Sequence, residues 1–125
     1  MGLDANFYAV GLQKIDDAQL TCRADLFGVE PEDLEYLCYW RRHHPLHEWM
    51  GRLFVEKGGD PNAKFNQYYV RLIAQDLDKL EHDLRSGKIE DVQMLYNNAS
   101  TLGFCIPAAR QAIAAGKAVF YWGYY

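Results

Sequence analysis

No apolar run in this 125-residue chain approaches the ~20 residues that a membrane-spanning helix needs. No membrane partner is therefore expected. Positive charge is also short: 13 Lys and Arg stand against 17 Asp and Glu, for a net charge of −4. Binding to nucleic acid usually requires a basic face, and only Trp40–His44 offers a local one, so the balance disfavours that partner. The acid excess is likewise too small for a mimic of nucleic-acid charge. Cysteine is scarce: Cys22, Cys38 and Cys105 are scattered with no CxxC pair. An odd, scattered set reads as reduced, mostly buried thiols, which predicts a cytoplasmic protein. The opening "MGLDANFYAV" has no basic n-region, so no signal peptide is expected. GxSxG, HExxH, GxxxxGK[ST] and kinase-type patterns are all missing. The reading leans away from an enzyme, with no catalytic residue, cofactor or metal assigned.

What is present is a foldable core. Half of the residues are hydrophobic and 24% are charged, which is ordinary for a globular chain and wrong for disorder. The length suits a single domain over residues 1–125. Nine tyrosines lead the aromatic content. Tyrosine sits half in a core and half in water, so this excess fits a small core and equally an interface.

Along the chain, Leu3, Ala5, Phe7 and Ala9 alternate with Asp4, Asn6, Tyr8 and Val10, the period of a strand. The terminal "AVFYWGYY" is β-branched and aromatic, which also favours a strand. Lone strands leave backbone groups unpaired, so the two ends are expected to pair with each other. Residues 14–27 suggest a short helix capped by Asp16 or Asp17 and ended by Gly28. Pro31, with Glu30, Glu32 and Asp33 around it, opens a predicted helix that runs to about His43 and stops before Pro45. A second helix follows from Pro45 to Lys57, with Leu46, Trp49, Met50, Leu53 and Phe54 on one stripe. A third carries Ile73, Leu77, Leu80 and Leu84 and closes at Gly87. Val92, Leu95, Tyr96 and Ala99 have helical spacing until "NNAST" breaks it. A last helix is expected over residues 107–115, ended by Gly116. The fold class read from this pattern is α+β: a mostly helical single domain with a small antiparallel sheet pairing the N- and C-terminal strands.

The densest chemistry lies in "YWRRHHPLHEWM", Tyr39 to Met50. His43 and His47 are four apart, but Pro45 interrupts the helix that would give the spacing meaning as a metal pair. Catalytic or binding use would take His47 as a base and Arg41 as an anion clamp, with Glu35 or Glu48 orienting the ring. Packing explains the same residues: His47 borders the Met50 and Phe54 stripe, and Arg41 would cap carbonyls at a helix end while stacking on Trp40 or Trp49. Packing is the preferred reading, with a pocket as its rival. Gly58-Gly59 follows a helix rather than a strand and makes no phosphate loop. Cys105, beside Pro107 at a helix start, reads as a buried, inert thiol.

These pieces resemble, in order, a family of small phage and prophage proteins. The resemblance rests on the "MGLD" start with Tyr8, on Glu35, Tyr39, Trp40 and Arg41, on Leu46, His47 and Trp49 in "LHEWM", and on the aromatic end. Members open with MGLDM, carry an "AYWRK…IHxWF" segment and end in an aromatic cluster. The likeness covers both termini and the middle, and is loose over residues 11–30 and 60–115. Ala5 stands where the family has Met, Arg42 is a second arginine, and the tail lacks the usual Ser. The resemblance implies a phage or mobile-element origin and no particular reaction. It also implies that Trp40, Arg41, His47 and Trp49 gather beside the terminal strands, with Glu35 and Tyr39 as further candidate binding residues.

The functional expectation is a small phage- or prophage-type accessory protein that binds a host or phage protein, a host or defence component among them, with homodimerisation through an aromatic surface compatible with it. The alternative is a small-ligand or nucleotide-binding protein, enzyme or not, with a pocket around Arg41 and His47.

Overall fold

A computed structural model describes residues 2–94 and 96–125. Five strands form one antiparallel sheet: β1 (Asp4–Gly11), β2 (Thr21–Arg23), β3 (Glu35–Arg41), β4 (Tyr68–Leu72) and β5 (Lys117–Tyr124). Their order is β2-β4-β5-β1-β3. The two chain ends do pair, β1 against β5 from Asp4↔Tyr124 to Gly11↔Lys117. Helices α1 (His44–Glu56), α2 (Ala74–Arg85), the short α3 (Asn98–Ser100) and α4 (Ile106–Ala114) complete the domain. A π-helical turn, Thr101–Cys105, joins the last two.

The alternation in β1 buries both of its faces. Ala5, Phe7 and Ala9 enter the main core with Leu46, Met50 and Leu53 of α1, Leu77 and Leu80 of α2, and Ala109 of α4. Tyr8 and Val10 enter a second cluster with Cys22, Phe27, Tyr69 and Phe120, packed on by Ile15, Val29 and Leu34. Burial on both faces is what a strand central to a sheet requires. The α1 stripe is buried as its spacing predicts. Gly87 and Gly116 take φ of +81° after α2 and α4, the left-handed turn a helix end favours.

Three expectations need correction. The helix from Pro31 to His43 is a single 3₁₀ turn, Pro31–Asp33, followed by strand β3. Proline and acidic residues at its start are local signals, and they were satisfied by one turn. Beyond it, Cys38 and Trp40 point inward while Tyr39 and Arg41 stay exposed, a period of two. Pairing with the open side of β1, from Asp4↔Arg41 to Ala9↔Glu35, overrides the helical spacing of Leu34, Leu37 and Cys38. Residues 14–27 likewise form no α-helix: they hold β2 between 3₁₀ turns at Leu12–Lys14 and Ala24–Leu26. The sheet is thus larger than two terminal strands, and "mostly helical" overstates the helix.

The third correction concerns sulfur. Cys38 of β3 and Cys105 at the end of the π turn form a disulfide across 67 residues of sequence, with Cα atoms 5.7 Å apart. Only docking of the last helical segment on β3 brings them together, so spacing held no sign of it. Cys22 remains free and buried. Of the four helically spaced positions near residue 95, Leu95 itself lies outside the described residues, and among the described residues between Arg85 and Asn98 no helix forms.

Candidate functional site

The twelve residues from Tyr39 to Met50 run from a strand into a helix. Arg42 makes the corner with φ of +57°, and its N–H donates to the Leu3 carbonyl at 2.7 Å. His43 then caps α1: its Nδ1 accepts from the Leu46 N–H at 3.2 Å. Since Nδ1 accepts, Nε2 must carry the proton, and it donates to Asn98 Oδ1 at 2.7 Å. Asn98 is held in turn by its own side-chain bond to the Ile89 carbonyl at 2.8 Å. Burial pushes the His43 ring below its ordinary range, with the Asn98 bond opposing.

His47 is placed one turn into α1 and is equally committed. Its Nε2 lies 2.8 Å from the Phe65 carbonyl, which can only accept, so Nε2 carries the proton. Nδ1 therefore accepts from the Tyr121 hydroxyl at 2.8 Å. The ring stacks on Phe65 at 4.7 Å, and a Cβ at Gly123 would lie 3.0 Å from Nδ1. Burial lowers the His47 pKa and raises that of Tyr121. A neutral imidazole with both nitrogens bonded to protein has no lone pair left for a metal or a substrate proton.

The tryptophans are also satisfied inside. Trp40 donates to Thr101 Oγ1 at 2.9 Å and meets Phe7 edge to face at 4.7 Å. Trp49 donates to Asp83 Oδ2 at 2.8 Å, joining α1 to α2. Trp40 and His47 do approach the terminal strands, each packing on Tyr121 of β5, at 6.2 and 5.8 Å between ring centres. The other three residues are on the surface. Glu35 pairs with Lys117 at 2.6 Å, and the Tyr39 hydroxyl donates to Asp4. Arg41 is exposed on β3 and, among the described residues, has no ion-pair partner and stacks on no ring. The expectation that it caps a helix end between two tryptophans fails because its segment is a strand. The six residues therefore divide between interior and surface. None of five surface clefts, of about 210 to 560 Å³, is lined by Trp40, Arg41 or His47.

A different group does meet at the surface. On the sheet face opposite the helices, Ile15, Ala24, Phe27, Val29 and Leu34 pack over Tyr8, Val10, Tyr69 and Phe120. Beyond them lie Tyr36, Tyr39 and Tyr124, exposed by 70%, 38% and 41%, with half-buried Trp122. Tyr36 packs on Tyr8 at 4.7 Å, and Trp122 packs on Tyr124 at 4.8 Å and on Tyr69 at 6.1 Å. The registers explain the grouping: Asn6 opposes both Tyr39 and Trp122, and Asp4 opposes Tyr124, so all lie on one face. Burial, then the neighbouring Tyr36 hydroxyl, pushes the Tyr8 phenol far up, and burial pushes Tyr69 up to about 12. These phenols stay neutral hydrogen-bonding groups at any physiological pH. The indole N–H of Trp122 is buried with no acceptor among the described residues. Sequence reading singled out Tyr39 alone of this group, although the alternation of Phe120, Trp122 and Tyr124 in the tail carried the signal.

No protein-family model, curated protein or solved structure matches the chain.

Proposed function

We propose that this is a phage- or prophage-type accessory protein that acts by binding a host protein through the tyrosine-lined half of its sheet. The carrying observation is that face itself: Tyr36, Tyr39, Trp122 and Tyr124 stand together at the surface on strands that are rigidly paired beneath. Tyrosine and tryptophan offer large contact area at small entropic cost, with the hydroxyls of Tyr36 and Tyr124 to set orientation. Asp4 beside Tyr124 and Arg41 beside Tyr39 add one charge of each sign at the rim, which fits a protein partner better than a polyanion. The small-ligand alternative needs Arg41 and His47 to open on one cavity, whereas one faces solvent and the other is bonded on both nitrogens.

The test is capture from a bacterial lysate, identification of the captured protein, and reconstitution with that protein purified. Binding should survive Glu48→Ala, on the solvent side of α1, and should fall at least tenfold in Tyr36→Ala and Tyr124→Ala variants of unchanged circular dichroism. Equal affinity in all four proteins would overturn the reading.

A further inference from the structure

The sheet ends on one side in β2, three residues long, and on the other in β3, seven residues long and lacking both proline and lysine. Long edges of this kind offer a row of unpaired backbone groups to another strand. Outside its ladder with β1, β3 engages its backbone with the Asn6 side chain, which reaches the Cys38 carbonyl from the β1 side. Charge along the strand is asymmetric. Glu30, Glu32, Asp33 and Glu35 stand at its start, where Lys14 pairs with Asp33 and Lys117 with Glu35, while Arg41 and Arg42 stand at its end. Neither arginine has an ion-pair partner among the described residues, and both are exposed.

We propose that β3 is the interface between two copies of this chain, joined antiparallel about a two-fold axis between Leu37 and Cys38. Antiparallel approach sets the acidic start of each strand against the basic end of the other, whereas a parallel approach would set like against like. A two-fold axis normal to the sheet keeps each face on its own side. Tyr36 and Tyr39 share a face, since they oppose Tyr8 and Asn6. Each tyrosine therefore meets its counterpart's neighbour, Tyr39 against Tyr36 of the second copy. Leu37 opposes no residue of β1, so the ladder slips there. In a symmetric pair both copies slip at the same distance from the axis, so Glu35 meets Trp40 and Tyr36 meets Tyr39, and the match of faces is preserved. The joined sheets carry one tyrosine-rich band across both copies, which deepens the protein-binding reading given above and rests on it for its purpose.

The experiment is analytical ultracentrifugation of the full chain across a wide range of concentrations. The expected result is a concentration-dependent species of twice 14.4 kDa. It is lost in the double variant Arg41→Glu/Arg42→Glu and in Glu32→Lys/Glu35→Lys, and recovered when those two variants are mixed. A monomer at every concentration would overturn the proposal, and so would a dimer indifferent to both reversals. A wild-type chain that stays monomeric yet binds its host protein through Tyr124 removes the dimer and leaves the function standing. A charge-sensitive dimer that captures no protein does the reverse. A host segment found paired along β3 itself, excluded by neither tyrosine variant, also overturns the two-copy interface.

Discussion

The imidazole of His47 and the hydroxyl of Tyr121 meet 2.8 Å apart in the interior, tying the first helix to the central strand that ends the chain. His43, four residues earlier, ties the same helix to Asn98. Two of the three histidines in the most chemically suggestive stretch thus serve as neutral, buried connectors. Their burial has a measurable consequence in pH.

Both rings are held below the ordinary value of 6.5 in the folded protein, chiefly by burial. The unfolded chain takes up protons near 6.5, and the folded chain takes them up only at lower pH. Stability is therefore complete above 6.5 and declines as pH falls below it toward the folded values. Thermal melts should show a fall in Tm on acidification through this range. The fall should flatten in His43→Asn, which keeps a capping acceptor, and in His47→Gln. A Tm that stays level down to the carboxylate range would contradict the neutral, bonded rings.

Leu53 is buried in the α1 stripe against the sheet. Leu53→Ala should cost about 2–5 kcal/mol, the range for a large-to-small core change. Denaturant midpoints read it directly, and a midpoint within error of the wild type would place the stripe outside the core.

The disulfide between Cys38 and Cys105 predicts that the unfolded, unreduced chain titrates one thiol, Cys22, and not three. Removing the bond with a dithiol reductant, or by Cys105→Ser, should destabilise by about 2–5 kcal/mol, because it closes a long loop. Three thiols in the untreated protein would restore the expectation of reduced cysteines.

Arg41→Ala should leave stability at dilution unchanged within about 0.5 kcal/mol, as for an exposed side chain away from special features. A drop of several degrees in Tm would mean that the guanidinium has an intramolecular partner, contrary to its exposed place on β3.

Local pattern was enough for much of the architecture. The strict alternation from Leu3 to Val10 specifies a strand, because successive side chains point to opposite faces. The five apolar residues from Leu46 to Phe54 specify α1, because residues three and four apart share a helix face. Gly87 and Gly116 mark helix ends, because glycine enters the left-handed region without a steric penalty. Each of these signals acts within one element and can be read without knowing its neighbours. Even the pairing of the two ends follows from the need of lone strands for partners. What tertiary structure alone decided is which backbone each ambiguous segment would meet. Glu35 to Arg41 carries both helical and alternating spacing, and the open side of β1 chose the second. That choice turned Arg41 outward, moved Tyr39 onto the tyrosine face and brought Cys38 to a cysteine 67 residues away. It also left Arg41 with no helix end to cap and set His43 at the start of α1, with Asn98 supplied by a distant turn. Contacts between residues far apart in sequence depend on chain closure, and no periodicity within a segment encodes them.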